Sequence, residues 1–110
     1  MVGARAVFYP IALDFDYYVM DRGCIVDAGT GRTVGISTRV IVFESVAEFT
    51  PGTILQIIAR WPVLYEGKDA LKWIVHGTVA GWTHGGIALT IEHERLVRTV
   101  HHEAFSEPRP

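Results

Sequence analysis

The sequence predicts an all-β protein, a small antiparallel barrel or sandwich of five or six strands with little helix. Three observations carry that expectation. Apolar and polar residues alternate with a period of two over several stretches. Corners bearing glycine or proline punctuate the chain at short intervals. The pieces between those corners are rich in Val, Ile, Thr, Trp, Tyr and Phe, which pack well on a pleated surface.

From Ile11 to Val19 the odd positions Ile11, Leu13, Phe15, Tyr17 and Val19 make one apolar face, with Asp14 and Asp16 on the other. A turn is expected at Asp21-Arg22-Gly23 and another at Ala28-Gly29-Thr30-Gly31. Thr33–Phe43 and Thr53–Arg60 read as strands apolar on both faces, with Pro51-Gly52 turning before the second. After a corner at Glu66-Gly67-Lys68-Asp69, Leu71, Trp73, Val75 and Val79 point one way against Lys72, His76 and Thr78. Beyond the corner Thr83-His84-Gly85-Gly86, the residues Ile87, Leu89 and Ile91 repeat the pattern. Helix is expected at most as one short turn over Ser45–Phe49. Residues 92–103 fit two descriptions. Leu96, Val97 and Val100 have helical spacing, whereas His93, Arg95 and Val97 would prolong the last strand. The tail 104–110, with two prolines and little to bury, is expected to fray.

The 110 residues fit a single domain, 1–110, with its core over about 5–98. Hydrophobic residues at 49% against 20% charged exclude intrinsic disorder. A net charge of -2 argues against a non-specific DNA or RNA binder. One cysteine, Cys24, excludes an intrachain disulfide framework and a CxxC site. No run reaches the roughly 18–20 apolar residues of a membrane span, and the first ten residues make a poor signal peptide. A cytoplasmic location is the expectation.

Candidate chemistry is sparse. His76, His84, His93, His101 and His102 are spread over three elements with no HxH or HxxxH pair, so structural or exposed histidines are favoured over a metal site. Asp14 and Asp16 share a strand face about 7 Å apart, a spacing at which two carboxylates serve acid–base work only if one is buried; a solvated face is the favoured reading. Cys24 reads as a small apolar residue beside a turn. No GxSxG elbow or P-loop is present, and Gly77, Gly81, Gly85 and Gly86 do not precede a helix. The protein is not expected to be an enzyme.

Trp73 is expected in the core with Leu71 and Val75. Trp61 and Trp82, at strand ends, are read as core lids in preference to stacking platforms. Eight arginines stand against Lys68 and Lys72. Guanidinium suits bidentate phosphate and guanine contacts, yet these arginines do not cluster.

The run from Thr30 to Ser45, TGRTVGISTRVIVFES, resembles the core of PilZ domains, whose pattern is a small residue, a D/N-x-S-x-x-G motif and an apolar strand ending in Phe-Glu. Pro51-Gly52-Thr53 opening a strand, Trp61-Pro62 closing it and Leu71–Ala80 following extend the likeness over about residues 5–98. The resemblance implies a small antiparallel six-stranded β-barrel of PilZ type and kinship with receptors for cyclic di-GMP. In that family the nucleotide is held by an N-terminal R-x-x-x-R segment and by the D/N-x-S-x-x-G loop.

Both motifs are altered here. Gly35 stands in place of Asp or Asn, Ser37 is kept, and Val40 replaces the glycine. Because a β-branched valine disfavours positive φ, this stretch is expected to run on as ordinary strand. Arg5 is the only arginine before residue 22, and Tyr9 or Phe8 occupies the position of the second. Losing one bidentate charged contact costs on the order of 1.5–3 kcal/mol, roughly ten- to hundredfold in affinity. The favoured expectation is therefore a non-catalytic signalling domain with a degraded nucleotide site, acting through protein contacts or self-association, with Val7, Phe8 and Tyr9 as candidate interface. The alternative is a working cyclic di-GMP receptor with a rebuilt site at Arg5, Ser37 and Arg39. No metal or other cofactor is expected under either.

Overall fold

The structure, a computed structural model, describes residues 8–99. Six antiparallel strands run in chain order: β1 (Asp14–Asp21), β2 (Cys24–Ile36), β3 (Val40–Glu44), β4 (Ile54–Tyr65), β5 (Asp69–Thr83) and β6 (Gly86–Thr99). They close into a barrel in the order β1-β2-β3-β6-β5-β4. The all-β expectation holds, and no described segment is helical. Accordingly, no helix among the described residues is long and apolar enough to cross a membrane.

The alternation read in the sequence is the inside–outside alternation of the barrel wall. Leu13, Phe15 and Tyr17 point inward on and before β1, as do Leu55 and Ile57 on β4, Trp73, Val75 and Val79 on β5, and Ile87 and Leu89 on β6. Short β3 supplies Ile41 and Phe43, both fully buried. Phe15 meets Phe43 edge to face at 5.2 Å, a favoured arrangement for two ring quadrupoles.

Three expectations are corrected. The corner placed at Ala28–Gly31 lies inside β2. Gly29 pairs with Tyr17 and Gly31 with Phe15 across the β1–β2 ladder. A Cβ on Gly31 would stand 2.6 Å from Cζ of Phe15, and one on Gly29 would stand 2.6 Å from Cζ of Tyr17. The glycines make room for two core rings. Strand Thr33–Phe43 is broken: β2 stops at Ile36, residues 37–39 turn, and β3 restarts at Val40. Ser45–Phe49 forms no helical turn. Instead the Ser45 hydroxyl accepts the Ala47 N–H at 3.2 Å and donates to the Thr30 carbonyl at 3.0 Å, which bends the chain inward.

That bend has a purpose in the topology. β3 and β4 lie opposite each other in the ring, so their connection must cross the barrel end. It does so with Phe49 as a plug, packed edge to face on Tyr17 at 5.1 Å and on Phe43 at 6.0 Å. Gly52 N–H then donates to the Val79 carbonyl and Val79 N–H to the Thr53 carbonyl, which fastens the crossing to β5.

Residues 92–99 continue β6, so the strand description of the 92–103 segment holds as far as the described residues reach. β5 and β6 outrun their barrel neighbours. β1 pairs with β4 only as far as Ala59, and β3 pairs with β6 only from Ile87 to Thr90. The outer parts of β4, β5 and β6 therefore project as a three-stranded wing, consistent with extents of 58 × 33 × 24 Å.

Candidate functional site

The sequence singled out the N-terminal segment and the Gly35–Val40 stretch, and the fold brings their described parts together. Tyr9 forms a bridge with Ile36, each N–H donating to the other's carbonyl at 2.8 and 3.0 Å. Further along, Thr33 N–H donates to the Leu13 carbonyl at 2.9 Å. The buried Thr33 hydroxyl accepts the Leu13 N–H at 2.7 Å and donates to the Ile11 carbonyl at 2.6 Å. One threonine thus satisfies two backbone groups of a segment that has no regular ladder.

Phe8 lies over Gly35, where a Cβ would meet its Cδ1 at 3.0 Å. The backbone of β2 is bare there, and an aromatic ring takes the space. Phe8 is 46% exposed and Tyr9 56% exposed, so this seat buries one side of Phe8 and leaves an aromatic surface facing outward. Arg5 and Val7, candidates for the nucleotide site and the interface respectively, fall outside the described residues.

Ser37 is 5% exposed and organises the turn that interrupts the expected strand. Its hydroxyl accepts the N–H groups of Arg39 at 3.2 Å and Val40 at 3.0 Å and donates to the Val40 carbonyl at 3.2 Å. Ser37 N–H also donates to the Val40 carbonyl at 2.9 Å. A serine-centred turn does here what a glycine with positive φ does elsewhere, and Val40 keeps negative φ. Arg39 projects from the turn with an exposed side chain, and its carbonyl accepts the Ile91 N–H at 2.7 Å. Ser37 and Arg39 share a turn, yet the hydroxyl faces the turn's own backbone.

Asp14 and Asp16 line a cleft of about 740 Å³ together with Tyr18, Ile58, Arg60 and Lys72. Asp14 pairs with Arg32 at 3.7 Å, both side chains largely in water, a geometry that contributes little. Acids on β1 face bases on β4 and β5 across this cleft, and no Ser, Cys or His is among the described residues that line it.

The histidines are less scattered than their spacing suggests. His76 and His93 are direct cross-strand partners on β5 and β6, rings 6.1 Å apart, and Gln56 Nε2 lies 3.1 Å from His76 Nε2. A bulge beside His76 sets that register, and nothing in the chain order signals it. Among the described residues, no group of three His, Cys, Asp or Glu side chains is arranged to hold a metal ion. His101 and His102 lie outside them.

The tryptophans divide. Trp73 is buried, meets Trp61 edge to face at 5.4 Å, and donates its indole N–H to Glu94 Oε1 at 2.7 Å. Trp61 packs against the core edge as expected of a lid. Trp82 does not: it is 66% exposed, near the end of β5 just past a bulge at Gly81, whose φ is 136, and it still pairs with Ile87 of β6.

No family model, curated protein or solved structure matches this chain.

Proposed function

We propose that this barrel is a non-catalytic signalling domain of PilZ-like design whose nucleotide site has been given over to protein contacts. One observation carries the reading: Phe8 lies over Gly35 and Tyr9 pairs with Ile36 beside the Ser37–Arg39 turn, and the Ser37 hydroxyl is consumed within that turn. A cyclic dinucleotide presents two phosphates and two guanine edges, which call for guanidinium forks and free hydroxyl or carboxylate partners. Here the Ser37 hydroxyl is spent inside its own turn, and that turn carries a single guanidinium, Arg39, beside an aromatic surface. Exposed aromatics are instead enriched where one protein meets another.

The test is calorimetric titration of the full chain with cyclic di-GMP at low and physiological salt, repeated with Arg5→Ala. No heat up to about millimolar ligand, weaker than roughly 4 kcal/mol of binding, is the expected result. Saturable micromolar binding lost in Arg5→Ala would establish the alternative, a receptor rebuilt around Arg5, Ser37 and Arg39.

A further inference from the structure

The wing leaves two sheet edges, and they are unlike. On the β4 side, Pro62 removes a backbone donor and the pairing with β5 is irregular between Trp61 and Tyr65, both of which blunt an edge. On the β6 side, residues Glu92 to Thr99 form one strand without Pro or Gly, and among the described residues no strand pairs with its outer edge. Such an edge presents a row of backbone donors and acceptors to any chain that matches it.

The side chains of that edge select the partner. Glu94, Leu96 and Arg98 stand opposite Val75, Trp73 and Leu71, so all three belong to the inward-facing side of the wing, and all three are exposed. Three neighbours pre-order the charged pair: the Trp73 indole donates to Glu94 at 2.7 Å, and Arg98 lies 3.7 Å from Asp69 with its guanidinium 4.9 Å from the Tyr65 ring. Glu94 and Arg98 flank Leu96 symmetrically with opposite charge. Turned about a twofold axis through Leu96, the strand is complementary to itself. Leu96 then meets Leu96, Glu94 of each copy meets Arg98 of the other, and on the opposite face Arg95 meets Val97. Moving the axis to Glu94 or Arg95 sets like charges against each other, and moving it to Val97 puts Leu96 against Arg98. Only the Leu96 register makes two ion pairs and no repulsion, and cross-strand pairs set register in this way.

We infer that the outer edge of β6 is a homodimerisation surface, through which two copies join antiparallel about Leu96 into one continuous sheet. This rests on the protein-contact reading above and names its partner as a second copy of the same chain.

Charge reversal tests it on the full chain by sedimentation equilibrium from about 1 to 200 μM. Wild type is expected to dimerise, while Glu94→Arg and Arg98→Glu each raise the dissociation constant at least about tenfold. Mixed in equal amounts, the two single variants should regain the dimer, since every cross-strand pair is then opposite in sign. A monomeric wild type, single variants that dimerise like wild type, or a mixture that stays monomeric would each overturn the inference. Should either reversal fail to fold by circular dichroism, Leu96→Cys in a Cys24→Ser background decides. Facing residues lie about 5 Å apart, within disulfide reach, whereas Arg95→Cys would place its sulfurs' Cα atoms about 8 Å apart. Cross-linking at Leu96→Cys alone is expected, and equal cross-linking at both positions or none at either would overturn it. The nucleotide titration is independent of all this. Cyclic di-GMP binding by a dimer with the charge-swap pattern would overturn the parent reading and keep the edge, and a monomer that binds no nucleotide would do the reverse.

Discussion

The Phe15 ring occupies the space that a side chain on Gly31 would fill. The two are cross-strand partners on β1 and β2, and a Cβ on Gly31 would stand 2.6 Å from Cζ of Phe15 and 2.9 Å from the Glu44 carbonyl oxygen. The glycine is therefore a packing residue whose bare backbone lets a core ring reach Phe43. Gly31→Ala is expected to cost about 1–3 kcal/mol through overpacking, and Gly85→Ala less, since Gly85 has no positive φ and its added methyl would meet Val34 and Val42 at 3.5 Å, ordinary van der Waals contact. Thermal unfolding checks this, the first variant melting several degrees below the second.

Thr33 holds the segment before β1 by one hydroxyl. Thr33→Val keeps the shape but leaves the Leu13 N–H and the Ile11 carbonyl without their partner. The expected loss is about 1–3 kcal/mol, with amide exchange accelerated at Leu13 ahead of the core strands. Exchange unchanged at Leu13 would show that the hydroxyl does not fasten this segment.

Phe49 closes the barrel end at the β3–β4 crossing. Phe49→Ala removes two edge-to-face contacts and opens a cavity against Tyr17 and Phe43, at an expected cost of about 3 kcal/mol. Phe49→Leu retains most of the volume and should cost roughly half. Chemical denaturation with an unchanged slope would establish that stability alone has moved.

What could be read from the chain alone follows from the range of the forces involved. Strand faces such as Leu13-Phe15-Tyr17 are local and periodic, so alternation exposed them. Gly29 and Gly31 read as a turn because glycine's usual reason to exist is local, whereas here the reason sits on a neighbouring strand. The break at Ser37 hid for the opposite cause: a side-chain hydroxyl supplied the turn without a glycine, and Val40 looked like continuing strand. Trp82 shows the same limit: it reads as a core lid, yet it lies exposed just past a bulge at Gly81 that the local sequence does not announce. His76 and His93 became neighbours only through the β5–β6 register.

Ser37 and Arg39 share one turn and separate two roles by experiment. Ser37→Ala deprives the Arg39 and Val40 N–H groups of their side-chain acceptor while the Ser37 N–H bond to Val40 remains. A loss of about 1–2 kcal/mol of stability is expected. Arg39 has an exposed side chain and contributes to the fold through its carbonyl, so Arg39→Ala should stay within about 0.5 kcal/mol of wild type. Under the receptor alternative the order reverses in a binding assay, with Arg39→Ala losing roughly tenfold or more in cyclic di-GMP affinity at unchanged stability. Denaturation and titration of these two variants together thus distinguish a serine that shapes a turn from an arginine that holds a phosphate.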